Sequence, residues 1–142
     1  MGSRRPLVLA VPFVALALAL ATGSSPGIAR RAMAPARGGA YTTAQAASGA
    51  KAYAANCASC HGAKLQGGMG PTLKGEQSPF HGTQRAEDVY TYISTQMPLG
   101  KAGSLKPATY AAIMAYLLQQ NGHPAGTRAL TPAAAARSTE KM

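Results

Sequence analysis

The stretch Cys57-Ala58-Ser59-Cys60-His61 contains both cysteines of the 142-residue chain. A Cys-x-x-Cys-His run is the spacing at which a haem is attached to a protein through two thioether bonds. Two thiols at positions i and i+3 lie on one side of a helical turn, so each can reach one of the two vinyl groups at a porphyrin edge. The adjacent imidazole can then ligate the iron. We predict covalent haem attachment at Cys57 and Cys60, with His61 as one axial ligand.

Other uses of a Cys-x-x-Cys pair compete with this prediction. A zinc site needs a second pair of ligands at matched spacing, and the chain offers only His81 and His123 as spare imidazoles. A dithiol redox site of the thioredoxin type needs a βαβ context with strand-like Val and Ile runs, whereas the flanks here are rich in Ala, Gly and Lys. Two ordinary buried cysteines are the third alternative. We favour haem attachment over all three.

The composition predicts one small domain with tails. The chain has ten prolines and sixteen glycines, and residues 41–126 contain no Trp and a single Phe. A segment with so few large apolar side chains buries little core by itself. A bound macrocycle would supply much of the missing apolar contact, as small domains commonly need.

The net charge of +10 is spread unevenly along the chain. Residues 1–40 carry +5, residues 41–126 carry +3 and residues 127–142 carry +2. A nucleic-acid-binding domain should instead have its basic surface clustered on the folded part. Because most of the excess lies in the terminal segments, we predict no nucleic-acid partner.

The N-terminus has the pattern of an export signal. Arg4 and Arg5 precede an apolar run over residues 7–21 that is too short for a comfortable membrane span. We predict a signal peptide over residues 1–29, cleaved after Ala21 or after Ala29. An uncleaved anchor that tethers the protein through residues 7–22 is the alternative. Both predict a periplasmic location, soluble or tethered to the inner membrane, which is where this type of haem attachment takes place.

The rest of the chain divides into three parts. Residues 30–40 contain Pro35, Gly38 and Gly39 and are predicted to be a flexible linker. Residues 41–123 hold the helical patterns and the Cys-x-x-Cys-His run, and are predicted to be the domain. Residues 124–142 are predicted to be a disordered tail.

Two helices are predicted before residue 98. The first spans residues 43–56, where Thr42 and Gln45 match a capping box and the Ala-rich body has high helix propensity. Residues 62–82 follow as a Gly- and Pro-rich loop, which at this length needs something to wrap around, such as a haem face. Thr83 is predicted to cap the second helix, and Pro98 to end it. The face of the second helix consists of Val89, Tyr92, Ile93 and Gln96.

The third helix has the clearest pattern. Pro107 suits a first helical position, and Asn121 with Gly122 marks the end. Apolar side chains recur between them at helical spacing, which predicts one buried face. These are Tyr110, Ile113, Met114, Leu117 and Leu118. No segment has a strand pattern.

The residue on the second face of the iron separates an electron carrier from a haem enzyme or sensor. Of the six methionines, Met1, Met33 and Met142 lie in tails, and Met114 is on the apolar face of the third helix. Met69 follows His61 too closely to reach across the ring plane. Met97 remains, at the start of the loop that Pro98 stiffens. We predict Met97 as the sixth ligand. His81 and His123 are the alternatives.

Four stretches together resemble a class I c-type cytochrome domain over residues 41–123. They are Cys57 to Gly62, Gly70-Pro71-Thr72-Leu73-Lys74-Gly75, Met97-Pro98 and Ala115-Tyr116-Leu117-Leu118. The resemblance implies an all-α cytochrome c fold, with three main helices wrapped around one covalently attached haem c. It also implies that Gly49 and Tyr53 cross the last helix near Tyr116. The carbonyl of Pro71 would accept the free N–H of His61 and orient its ring.

The function that the resemblance implies is a periplasmic monohaem cytochrome that carries single electrons and is not itself an enzyme. Its partners would be redox proteins, such as a membrane or periplasmic dehydrogenase and an oxidase. The alternatives are a haem c subunit of an oxidoreductase complex, and a haem enzyme or sensor with an open sixth position. Lys64, Lys74 and Lys101 would steer an acidic partner if they lie near the haem edge.

Overall fold

The computed structural model describes residues 38–142 and Gly2. Apart from Gly2, the predicted signal peptide or anchor and all but the end of the predicted linker lie outside the described residues. Within residues 38–142, no helix combines the length and the apolar character that a membrane span requires.

The described part of the chain folds into five helices. They are α1 (Thr43–Asn56), α2 (Ala58–His61), α3 (Ala86–Gln96), α4 (Pro107–Gln120) and α5 (Pro132–Ala135). In residues 38–142 the β contacts amount to an isolated bridge between Arg85 and Lys141. The prediction of an all-α fold is therefore confirmed, and the three long helices have nearly the predicted bounds.

The crossing of α1 over α4 organises the core. A Cβ atom on Gly49 would stand 1.9 Å from the carbonyl oxygen of Ala112, so only glycine allows the two backbones to approach this closely. One turn further on, the rings of Tyr53 and Tyr116 meet with their centroids 5.4 Å apart. Leu117 and Leu118 on α4 are almost completely buried in the core beside this crossing.

The start of α3 differs from the prediction. Thr83 does not cap it, because the chain around Thr83 forms turns in which its own N–H donates to the carbonyl of Phe80. Arg85 is the N-cap residue, and the Asp88 carboxylate accepts from its N–H at 3.2 Å. The helix ends at Gln96, so that Met97 is its C-cap and precedes Pro98 as expected.

Residues 124–142 also differ from the prediction, since they pack on the helices instead of forming a disordered tail. Leu130, Ala135 and Met142 are buried in the core. The carbonyls of Glu140 and Ser138 accept from the first two N–H groups of α3, at 2.8 and 3.0 Å. A helix start leaves such donors without partners inside the helix. These interactions are backbone contacts between distant segments, so no local sequence pattern signals them.

Candidate haem site

The Cys-x-x-Cys-His run forms a single helical turn at the end of α1. The N–H of Cys57 donates to Tyr53 at 2.8 Å and closes the last turn of α1. The carbonyl of Cys57 then accepts from the N–H groups of Cys60 and His61 at 3.2 and 3.0 Å, which starts α2. Gly62 ends this turn with φ +80°, a conformation that glycine adopts without strain. The turn holds both thiols and the imidazole within five consecutive residues.

The loop after α2 folds back against the same turn. The N–H of Gly67 donates to His61 at 2.8 Å, and that of Gly70 donates to Cys60 at 3.0 Å. Gly70 lies directly against the imidazole: a Cβ atom there would be 2.7 Å from Cε1 and 2.8 Å from Nδ1 of His61. Glycine at this position therefore makes room for the ring.

The imidazole of His61 is oriented by the backbone. Its Nδ1 lies 2.9 Å from the carbonyl oxygen of Pro71. A carbonyl can only accept, so Nδ1 carries the proton and Nε2 has the free lone pair. This tautomer leaves Nε2 as the atom that can bind a metal. The contact is the one that the resemblance implies for Pro71.

A cavity of about 740 Å³ lies between α1, α3, α4 and the loops that connect them. This volume falls within the roughly 300–1,000 Å³ that is typical of cofactor and ligand sites. Cys57, Cys60, His61 and Met97 all line it. Most of the other lining groups are apolar, among them Leu73, Phe80, Val89, Ile93, Leu105, Ile113 and Leu117.

The cavity explains why the predicted face of α3 is only partly buried. Val89, Tyr92 and Ile93 line the cavity, and of these three Val89 is also buried in the core, beside Ala86 and Tyr90. Tyr92 is consequently 56% exposed. Three of the four residues of the predicted face therefore turn towards the cavity, whereas Gln96 is exposed and does not line it.

The candidate sixth ligands differ in whether they line the cavity. Met97 and Met69 both line the cavity, and Met69 is 86% exposed, whereas Met114 is fully buried and does not line it. Neither His81 nor His123 lines the cavity. His81 is exposed. The Nδ1 of His123 lies 2.8 Å from a carboxylate oxygen of Glu140.

Burial changes the acid–base properties of two groups beside the cavity. Burial, and then the neighbouring Cys60, raise the pKa of the Cys57 thiol to about 11. Burial, followed by Cys57 and Tyr116, raises the pKa of Tyr53 to about 12. Both groups are therefore neutral at neutral pH before any haem is attached. Within the described residues, no three His, Cys, Asp or Glu side chains are grouped so that they could hold a metal ion.

These residues fit a covalently bound haem. The two cysteines are not joined by a disulfide, and each is half-buried at the cavity wall. The apolar lining suits the faces of a porphyrin. The acceptor at Pro71 leaves Nε2 of His61 as the free ring nitrogen.

A family model described as cytochrome c oxidase, cbb3-type, subunit III matches residues 44–117, which is just over half of the chain. The chain belongs to this cytochrome c family. The match confirms the resemblance to class I c-type cytochromes, and family membership indicates covalently bound haem c. Cys57 and Cys60 have the spacing of the attachment motif in this cytochrome domain.

Two named proteins are similar to the cytochrome domain. A dihydro-heme d1 dehydrogenase of Pseudomonas aeruginosa is 40% identical over 83 residues, which are 57% of this chain and 17% of that protein. The solved structure of the sulfane dehydrogenase SoxCD from Paracoccus pantotrophus matches with a TM-score of 0.51 and 33% identity. That match covers 54% of this chain and 43% of the other. This chain thus spans less than half of each relative.

Two polar side chains that position the site were not identified from the sequence. Asn121, which the sequence marked only as a helix end, donates to the Leu73 carbonyl at 3.0 Å and accepts from the Gly75 N–H at 3.1 Å. It thereby fixes the loop after Pro71 to the end of α4. Tyr110, which the sequence assigned to the apolar face of α4, donates from its hydroxyl to the Met97 carbonyl at 2.6 Å. An Asn at a helix end and a Tyr on an apolar face were the available signals.

Proposed function

We propose that the cytochrome domain is a monohaem carrier of single electrons whose iron is closed to substrates. The domain is a haem c electron-transfer module by its family. The observation that carries the finer proposal is that His61 and Met97 line one cavity together with Cys57 and Cys60. Haem in such a site supplies a one-electron iron couple, and thioether ligation raises its potential.

The residues of the chain have separate roles in this proposal. Cys57 and Cys60 would hold the haem, and Pro71, which accepts from Nδ1 of His61, would leave Nε2 as the nitrogen that binds the iron. Met97 provides the sixth ligand from the end of α3. The apolar lining excludes water from the faces of the ring, which limits the rearrangement of solvent during electron transfer.

We also propose a location and redox partners for the cytochrome domain. The basic and apolar N-terminal pattern supports export to the periplasm, in a soluble form or tethered to the inner membrane. We propose a dehydrogenase as electron donor and an oxidase as acceptor. Lys64, Lys74 and Lys101 are all exposed and none of them lines the cavity, so they would steer an acidic partner only if the haem edge lies near them. Steering of this kind predicts that the association rate falls steeply with added salt.

A second candidate function is a haem c subunit of an oxidoreductase complex. Both named relatives are dehydrogenases, and this chain spans only part of each. Co-purification from the native host tests this candidate. A stable stoichiometric complex with a dehydrogenase polypeptide supports the subunit, and a protein that purifies alone and exchanges electrons reversibly supports the carrier.

The two methionines at the cavity provide a matched test of the closed site. Met97→Ala should remove the ferric charge-transfer band of methionine–iron ligation and lower the reduction potential, since a soft ligand is lost. Met69→Ala should change neither, because Met69, although it borders the cavity, is 86% exposed. If the wild-type ferric protein is high-spin and binds cyanide or peroxide readily, the site is open and the proposed carrier function is wrong.

A further inference from the structure

Tyr110 connects α4 to the segment that contains Met97. Its ring is 3% exposed and lines the cavity near the start of α4. Its hydroxyl donates to the Met97 carbonyl at 2.6 Å, and the same oxygen accepts from the Leu105 N–H at 3.4 Å. One phenol therefore contacts both ends of the segment 97–105.

The backbone of Met97 is held by two further contacts. Its N–H donates to Ile93 in the last turn of α3 at 3.3 Å. Its carbonyl also accepts from the Gly103 N–H at 3.3 Å. These two bonds are long, whereas the bond from the Tyr110 hydroxyl is short. The hydroxyl is therefore the best-formed of the three backbone contacts of Met97.

The segment after Met97 has little burial to hold it in place. Residues 99–104 are all exposed, and the apolar contacts of the segment are limited to Pro98, Leu99 and Leu105 at the cavity. A segment that packs so few side chains depends on hydrogen bonds for its order. Loss of one such bond changes the balance between held and released states by about 1 kcal/mol, which is about a five-fold change in the equilibrium constant.

We propose that Tyr110 is a positioning residue that holds Met97 at the cavity through its carbonyl, and so controls how readily the sixth position of the iron opens. This inference rests on the proposed function, in which Met97 is an axial ligand. Tyr110 touches the backbone of Met97, so its effect on the iron is indirect. Without the hydroxyl, the segment 97–105 should leave the cavity more often and expose the iron to other ligands.

Imidazole is a suitable probe, because it can bind ferric iron only where the sixth position is vacated. The test titrates imidazole into the matured, haem-loaded full chain in the ferric state. Tyr110→Phe keeps the ring and removes only the hydroxyl. The matched control is Tyr116→Phe, since Tyr116 lies on the same helix and its hydroxyl makes no hydrogen bond within residues 38–142. Far-ultraviolet circular dichroism compares the folding of all variants.

The apparent affinity for imidazole should rise about five-fold in Tyr110→Phe and remain at the wild-type value in Tyr116→Phe. The reduction potential of Tyr110→Phe should also fall, because release of the thioether favours ferric iron. Met97→Ala, measured in parallel, should bind imidazole far more tightly than either tyrosine variant.

The two variants distinguish a failure of the positioning role from a failure of the ligand assignment. If Met97→Ala behaves as expected but Tyr110→Phe matches wild type in imidazole affinity and potential, the positioning role is overturned and the ligand assignment stands. If Met97→Ala leaves the spectrum and the imidazole affinity unchanged, Met97 is not the ligand, and the proposed function fails with the inference.

Discussion

Gly49 on α1 lies against the backbone of Ala112 on α4, so closely that a Cβ atom would stand 1.9 Å from the carbonyl oxygen. Gly49→Ala should therefore separate the two helices. We expect a loss of about 1–3 kcal/mol in the free energy of unfolding from this overpacking. That loss exceeds the gain in helix propensity of up to about 1 kcal/mol. Denaturant unfolding of the haem-loaded protein measures it.

Ser48→Ala is the control for helix propensity, since Ser48 is the exposed neighbour of Gly49. It should leave stability within about 0.5 kcal/mol of wild type. A Gly49→Ala variant as stable as this control would show that the crossing of α1 and α4 is looser than described.

The contact of Gly70 with His61 gives a second prediction. Gly70→Ala should push the imidazole away, because a Cβ atom would be 2.7 Å from Cε1 of His61. We expect an altered visible spectrum and a stability loss of about 1–3 kcal/mol. Optical spectra of the reduced and oxidised protein, together with denaturant unfolding, measure the two effects.

Gly75→Ala separates backbone strain from displacement of the imidazole. Gly75 has φ +70°, and apart from its chain neighbours no heavy atom lies within 4 Å of its Cβ position. An alanine there keeps the N–H that donates to Asn121. Its substitution should cost about 1 kcal/mol through strain alone and leave the spectrum unchanged. If both variants had the wild-type spectrum, the space beside His61 would not depend on Gly70.

The hydroxyl of Tyr53 should make the stability of the protein depend on pH. It donates to the Gly62 carbonyl at 2.7 Å, and burial raises its pKa from 10.0 to about 12. Because the folded-state pKa is the higher one, the native protein retains this proton after the unfolded chain has lost it. The contribution of the Tyr53 hydroxyl to the free energy of unfolding is complete below pH 10.0 and is lost as the pH rises to about 12.

Tyr53→Phe should therefore be less stable at neutral pH, by about 1 kcal/mol for the lost hydrogen bond. Its stability should also fall less between pH 10.0 and 12 than that of the wild type. Tyr92→Phe, at an exposed tyrosine, should follow the wild-type curve. Parallel curves for Tyr53→Phe and wild type over this interval would contradict the raised pKa.

The side chain of Gln45 joins α1 to the C-terminal residues, so its removal tests whether those residues pack on the helices. Its Nε2 donates to the Leu130 carbonyl and its Oε1 accepts from the Leu130 N–H, both at 2.7 Å. Gln45→Ala should lower stability by about 1–3 kcal/mol, because two backbone groups lose their partner. It should also speed amide exchange over residues 127–142. Hydrogen exchange and denaturant unfolding measure these effects.

Gln120→Ala is the matched control, at an exposed glutamine on the last turn of α4. It should change neither quantity. Exchange over residues 127–142 that is already fast in the wild type would show that this segment is not held on the helices in solution.

The three long helices were predictable from the sequence because their signals are local. Pro107 begins α4 and Asn121 follows its last residue, as their capping preferences indicate. The all-α fold and the haem c family also followed, from the Cys57 to His61 run taken together with the three later stretches that resemble class I cytochromes. The predicted start of α3 was wrong, because Thr83 lies in turns that no local sequence pattern indicates.

The contacts that depend on distant residues were not predictable. Gln45 was expected to complete a capping box with Thr42. Thr42 does accept from the Gln45 N–H at 3.2 Å, but the side chain of Gln45 bonds to Leu130, 85 residues away. Likewise, nothing local to Tyr110 indicates that its hydroxyl meets Met97. Such pairings arise only when the tertiary fold brings the segments together.

Every role assigned to the site depends on haem being joined covalently to Cys57 and Cys60. The most direct measurement of this attachment is the intact mass of the matured, denatured protein after thiol alkylation, read together with a pyridine haemochrome spectrum. We expect a mass that includes one haem, no alkylated cysteine, and the haemochrome of a porphyrin with two thioether bonds. A colourless polypeptide with both thiols alkylated would contradict it.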